Sequence, residues 1–330
     1  MTRQDRSSER GAALITVLMI IAAMSAVAVG LTQVVTQATH RARALDAQAQ
    51  VRLYAVAAEE VAQAQLGALL AEIQGRVTAE MPGLNETQII PVDGGLLQVR
   101  ATDATNCFDL NSLVIVAGGV SQPEPDAIDA YLQVLKGAGF DRGDAQALAA
   151  ALVDWMDSDS TPGVGGAEDS YYSAERPSYR TSGQVLTNLS ELRAIRGYDL
   201  LVLETLEPLV CARPQNAEAP SHVMNLNTLT EDQAPLLMLA FSGAMEVEEA
   251  RRLIAGRPVG GWPDVTTFLD EPAVAQVSPE LRRIERLGVI TTSVEVYAEV
   301  AYRDQMMSIL YLFETLPGQP VRTLRRERVG

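Results

Sequence analysis

The run AALITVLMIIAAMSAVAVGL, residues 12–31, decides the reading of this chain. No charged side chain occurs from Ala12 to Thr39. As a helix rising about 1.5 Å per residue, twenty such residues span roughly 30 Å, the thickness of a bilayer's hydrocarbon core. The preceding residues, MTRQDRSSERG, carry Arg3, Arg6 and Arg10. A basic flank stays on the cytoplasmic side, so the bulk of the chain is expected outside.

Three readings fit such a start. A secretory signal peptide would be cut at the small residues near Ala26-Val27-Ala28. A plain N-terminal anchor would keep Met1. A class III signal of the type IV pilin kind would be cut after Gly11, leaving the apolar helix on a mature chain that begins at Ala12. The residues that follow favour the third. No proline occurs from Gln33 to about Gly75, and Ala, Gln, Leu, Glu and Arg, all good helix formers, dominate. Val51, Tyr54, Val61, Ala62, Gln65 and Leu69 recur at helical spacing. The helix is therefore expected to run on from the membrane along a folded domain.

The start RGAALITVLMIIAAMSAVAVGL resembles that of the type II secretion minor pseudopilins, the K subunits in particular. Most pilins and pseudopilins carry Glu at the fifth mature position, which here is Thr16. The K subfamily lacks that Glu, so the departure agrees with the resemblance, and an unpaired carboxylate in hydrocarbon is costly. Ala12 replaces the Phe common at the first position, which leaves methylation of the new N-terminus open. FDLNSL, LVDWMDSDS, GAEDSYY, LSELRAIRGY and MNLNTLT extend the resemblance over nearly the whole chain. It implies an α+β fold: a pilin-like long N-terminal helix packed on an antiparallel sheet, with a large inserted α-helical domain.

Residues 88–103 carry a Gly-Gly turn between β-prone runs and predict a hairpin. The Pro-rich segment 121–128 opens helices over 127–137 and 144–156, with further helices near 189–196 and 199–210. VMNLNTLT predicts a strand, Thr230 a helix cap, and 246–255, 265–269 and 279–287 more helices. The end alternates as antiparallel strands do. The expected organisation is a leader over 1–11, a membrane and fibre-core helix over 12–39, and amphipathic helix with the first part of the sheet over 40–120. The inserted helical domain is expected over 121–220, and the remainder of the pilin-like unit over 221–330.

An acidic loop lies inside the expected insertion. Asp154, Asp157, Asp159, Glu168 and Asp169 fall within sixteen residues with no Lys or Arg between them. Hard oxygen donors on a loop able to fold back suit Ca²⁺, which takes six to eight oxygens. The Asp157-x-Asp159 spacing begins like an EF-hand but lacks its sixth-position Gly. From spacing alone, a solvated acidic loop fits equally well. The resemblance implies calcium in the helical domain, with Asp157, Asp159, Glu168 and Asp169 as ligands and Asp154 and Asp199 as supplementary ones. Trp155 is expected to anchor the loop to the helical core.

Cys107 and Cys211 form an even pair at the borders of the insertion, in a chain expected outside the cytoplasm. A disulfide there would staple the insertion's stem; two buried free thiols are the alternative. With 42 acidic against 26 basic side chains, net charge -16, a nucleic-acid partner is not expected. The segment 236–269 resembles a helix-hairpin-helix module, yet it has few basic residues near Ser242-Gly243-Ala244 and reads as a packing or docking unit. His40 and His222 lie in no nucleophile motif, and no P-loop, GxSxG, HExxH or GxGxxG pattern is placed for chemistry. The chain reads as a non-enzyme.

The resemblance then implies a minor pseudopilin at the tip of the type II secretion pseudopilus, in the inner membrane with its bulk in the periplasm. Its implied partners are the I and J minor pseudopilins, the prepilin peptidase and secreted proteins. The competing expectation is a membrane-anchored periplasmic calcium-dependent binding module without a fibre role.

Overall fold

The computed structural model describes residues 5–218 and 223–329, with side chains from Ala13 onward. His222 and the first four residues of the expected leader lie outside the described residues; Gly11 and Ala12 are described as helix backbone. In chain order the elements are α1 (Asp5–Glu72), β1 (Thr87–Val92), β2 (Gly95–Asp103), β3 (Phe108–Asp109), β4 (Val114–Ala117), β5 (Val120–Pro123), α2 (Pro125–Gly137), α3 (Arg142–Met156) and α4 (Asp169–Tyr172). Then come α5 (Leu200–Leu206), β6 (Val210–Cys211), β7 (Met224–Asn225), α6 (Ala234–Met238), α7 (Val247–Ala255), α8 (Val265–Leu269), α9 (Pro272–Ala275), β8 (Leu287–Gly288), β9 (Ser293–Tyr302), β10 (Gln305–Glu314) and β11 (Arg322–Val329).

The helix α1 is 68 residues long, about 100 Å at 1.5 Å per residue. Its first part touches no other element: the large apolar side chains from Leu14 to Val35 are all exposed. From there the same helix lies on the sheet. Ala47, Val51, Ala55 and Ala58 recur every three or four residues and are buried, with small residues bringing the backbones close. The chain leaves the helix through two left-handed residues, Gln74 and Gly75, and Gly75 N donates to Leu70 O.

Five antiparallel strands in the order β1-β2-β9-β10-β11 form the sheet. Alternation decides which face meets the helix: Val294, Val296, Ala298 and Val300 of β9 point at α1, joined by Leu97, Tyr311 and Phe313. Tyr311 Oη donates to Ala55 O at 2.9 Å. Glu59, buried in α1, accepts from Thr323 Oγ1 at 2.6 Å and Arg326 Nε at 2.5 Å, so helix and outer strand are also locked by charge.

The chain leaves the sheet at Asp103 and returns at Ser293, because β2 pairs directly with β9. The described residues between, 104–218 and 223–292, stand outside the helix-and-sheet unit, a wider segment than the expected 121–220. They carry two cores. The first, from Phe108 to Ala212 and joined by Leu236 and Leu239, is built on Tyr131, Leu152, Trp155 and Tyr172. The second, from Met224 to Leu287, is built on Phe241, Trp262 and Phe268. The expected hairpins after residue 221 thus pack with the insertion and not with the sheet. Hydrophobic spacing marks each helix, but it does not say which strand β2 takes as partner.

Both cores meet the sheet at a buried polar joint. Asp103 Oδ2 accepts from Thr228 Oγ1 and Thr291 Oγ1, each at 2.7 Å, and from Asn225 Nδ2 at 3.1 Å. Asn106 exchanges bonds with the backbone of Asn225 at 2.7 and 3.0 Å. The joint sits at the C-terminal end of α1, where Thr291 N donates to Gly75 O and Ala79 N to Asn227 O. The insertion therefore crowns the end of α1 remote from the apolar segment.

Some expected elements shorten. VMNLNTLT forms only the two-residue β7, since the side chains of Asn225 and Asn227 bond nearby backbone and hold a turn. The helix expected over 279–287 is two short 3-10 turns, Pro279–Leu281 and Ile284–Arg286. The one near 189–196 is a 3-10 turn, Leu189–Ala194, closed by an Asn188–Glu191 capping box.

Candidate metal centre

The acidic loop begins where α3 stops. Asp141 caps the start of α3, and Asp157, in extended conformation, ends it. Asp154, on the last turn, accepts from Gly163 N through both carboxylate oxygens at 3.0 and 3.1 Å. This folds the stretch 163–166 back over the helix. A Cβ at Gly166 would lie 2.0 Å from Asp154 Oδ2, so the close return depends on glycine there. The returning chain delivers Glu168 beside Asp157.

One carboxylate oxygen from each of Asp157, Asp159 and Glu168 lies within 4.8 Å of the others. Ca²⁺ binds oxygens at about 2.3–2.6 Å, so ligands around one ion stand up to roughly twice that apart. Asp157 and Glu168 are 4% and 3% exposed, while Asp159 faces solvent. Asp157 Oδ1 and Glu168 Oε1 are buried with no hydrogen-bond partner. Buried carboxylate oxygens without donors are rare unless a proton or cation serves them. Burial, reinforced by the neighbouring Asp159, pushes Asp157 up to about 6. Burial and the facing Asp157 and Asp154 push Glu168 up to about 7. Asp154 is raised by burial too, against the opposing Gly163 bond. The donor set, its spacing and its orphaned oxygens fit a hard divalent cation.

Of the residues named from sequence, the structure gathers Asp157, Asp159 and Glu168, with Asp154 shaping the loop behind them. Asp169 turns to Thr181, accepting from its N at 2.9 Å and Oγ1 at 3.1 Å. Asp199 caps α5 through Val202 N at 3.0 Å and is not in the cluster. Trp155 packs edge-on against Tyr172 and Tyr179, 5.3 and 6.2 Å between ring centroids, anchoring the loop as expected. Sequence reasoning missed Gly163 and Gly166, whose signal was a glycine-rich return between two acidic pairs.

Two further features bear on function. Cys107, immediately before β3, and Cys211, in β6, are disulfide-bonded, with Cα atoms 5.7 Å apart. On α1, the face turned away from the sheet exposes Leu45, Leu53, Val56 and Val61 with Ala49, Ala57, Ala64 and Ala68, and the charged Asp46, Arg52 and Glu60 are exposed among them. That apolar stripe continues the exposed apolar surface of the N-terminal segment. Among the described residues, α1 is the one helix long and apolar enough to cross a membrane.

A helix of this kind, laid on an antiparallel sheet interrupted by a large helical insertion, defines a pilin-like subunit. Two family profiles, both described as "Type II secretion system (T2SS), protein K", match residues 106–215 and 224–289, the two cores of the insertion. The type II secretion system protein K of Pectobacterium carotovorum subsp. carotovorum is 35% identical over 265 residues, 78% of each chain. The chain belongs to the type II secretion system protein K family. The Klebsiella pneumoniae protein K is 31% identical over 275 residues, 83% of each chain. Among solved structures, a chain of the GspK-GspI-GspJ complex from the enterotoxigenic Escherichia coli type 2 secretion system superposes with a TM-score of 0.73 at 26% identity. The match covers 88% of this chain and 99% of that one.

Proposed function

We propose that this protein is a non-enzymatic minor pseudopilin that sits at the tip of the type II secretion pseudopilus with I- and J-type partners. The apolar stripe on α1 carries the reading. It leaves apolar side chains from Leu45 to Val61 open to solvent on a membrane-length helix, which suits packing against the helices of neighbouring subunits. The two-core insertion crowns the far end of α1, where its bulk would obstruct a further subunit, and this supports a capping or initiating role. The solved GspK-GspI-GspJ complex, one chain of which this protein resembles, supports the choice of partners. In this reading Gly11–Ala12 is the prepilin peptidase site, and the helix holds the protein in the inner membrane with the remainder in the periplasm. Secreted proteins would meet the crowned end.

Leu53→Arg with Val56→Arg should abolish co-purification with the I- and J-type subunits while leaving the melting curve within a degree or two, since both side chains face solvent. N-terminal sequencing of protein made with the peptidase should begin at Ala12. Retained binding by the double variant sinks the helix-stripe reading; a mature start near Val29 sinks the pilin-type processing.

We further propose that Asp157, Asp159 and Glu168 hold Ca²⁺, which would neutralise their mutual repulsion and order the loop. Chelation should lower the melting temperature, by about 2–3 kcal/mol of stability relative to calcium at a hundredfold its Kd. Asp157→Ala with Asp159→Ala should remove that difference. Tb³⁺ should show emission sensitised by Trp155, two residues from Asp157, and Trp155→Phe should weaken it. The pH dependence follows from the raised carboxyls. Their folded values of about 6 and 7 exceed the unfolded ones, so the ion-free protein binds more protons folded than unfolded and loses stability as pH rises from about 4 to 7. The calcium-induced gain should therefore be larger at about pH 8 than at pH 5. An equal gain at both, or none, overturns the assignment.

A further inference from the structure

The acidic loop is bonded to an element outside the proposed ion site. β4 and β5 form a ribbon turned at Gly118-Gly119, both at positive φ. The Ala117↔Val120 pair flanks this two-residue turn, so the next pair, Val116↔Ser121, directs its backbone groups out of the ribbon. On the β5 side they meet Ser158. Ser121 N donates to Ser158 Oγ at 2.9 Å, and Ser158 N donates to Ser121 O at 3.1 Å. Among the described residues, these are the hydrogen bonds that β4 and β5 make outside the ribbon. Ile115, Val116 and Val120 are exposed, so beyond Val114 and Ser121 the ribbon has little burial to hold it. A lone two-stranded ribbon is marginal in water.

Ser158 stands between Asp157 and Asp159, two of the three clustered carboxylates, and Asp157 Oδ1 and Glu168 Oε1 are buried without partners. We infer that a divalent cation held by Asp157, Asp159 and Glu168 governs the order of the β4–β5 ribbon, with Ser158 as the positioning residue that links them. The inference rests on the calcium reading above and extends it to regulation. Without the ion, three carboxylates converge with no positive charge in the cluster, and relief comes by opening the loop at 157–159. That withdraws both bonds from Ser121. With the ion, the loop closes and the ribbon is clamped. Because linkage is reciprocal, whatever loosens the clamp also weakens the ion.

The test is amide hydrogen exchange on the full-length chain in detergent micelles, with calcium or with chelator, read at residues 114–123. Exchange at 116–121 should slow by about fivefold or more with calcium, the lower range of such couplings. Ser158→Ala should still give Tb³⁺ emission, bind Tb³⁺ more weakly by a comparable factor, and lose the calcium effect at the Ser121 amide, whose side-chain acceptor it removes. Ser158→Thr, which keeps the hydroxyl, should restore it. Ribbon exchange unchanged by calcium while Tb³⁺ emission reports a bound ion overturns the coupling alone. Absence of sensitised Tb³⁺ emission in the unmodified chain overturns the ion reading, and the coupling with it.

Discussion

Asn225→Leu is expected to cost about 3–5 kcal/mol and to loosen the insertion from the sheet. Asn225 is fully buried, and its Nδ2 donates to Val77 O, Asp103 Oδ2 and Thr291 Oγ1 at 3.0–3.3 Å while its Oδ1 accepts from Asn227 N at 3.0 Å. Leucine fills similar space and serves none of them. Each buried group stranded in this way costs about 1–3 kcal/mol, more where a carboxylate such as Asp103 is involved. Asn225→Asp should fare no better, because it sets a second carboxylate against Asp103. Denaturant unfolding followed by tryptophan fluorescence reads the loss through Trp262, whose backbone N and O both bond Asn227. A variant with an unchanged midpoint would show that the joint contributes nothing.

Cys107→Ser with Cys211→Ser should be nearly as severe. The bond closes a loop of 104 residues, and the chain-entropy estimate for such a loop is about 4–5 kcal/mol. The loss should fall on the first core, because the bond ties β3 to β6 where the chain enters and leaves it. Hydrogen exchange should accelerate at Leu110, Leu113 and Leu209 well before Val296 or Val300 in the sheet. Uniform acceleration throughout would contradict a local staple. Asn106, which bonds Asn225, is the immediate neighbour of Cys107, so the two changes should be non-additive when combined.

Much of this was legible before any coordinates. An uncharged run of membrane length leading into alternating-face helix residues announces α1, and strict alternation in 294–300 announces a half-buried strand. Asp157, Asp159 and Glu168 were readable because acids without nearby bases stand out. Two things were not. The pairing of β2 with β9 joins residues nearly two hundred positions apart, and periodicity reports faces, not partners. The fate of a polar side chain is equally hidden: Asp169 and Asp199 match Asp157 in chemistry, yet Thr181 and the first turn of α5 claim them. In MNLNTLT the apolar letters suggested a strand, while the asparagines decided the matter by bonding backbone.

The return of the chain at Ser293, beside the strand it left at Asp103, bears on how such a protein is built. Asp103 faces Val294 in register and Ala104 N donates to Ser293 O, so the two exits are spaced like the ends of a β-hairpin. In topology, residues 104–292 replace a turn. The helix-and-sheet unit closes on itself on either side of that turn, so the crown is a graft on an otherwise complete subunit. New material could enter or change at this one corner without shifting a single strand of the unit that carries the long apolar helix.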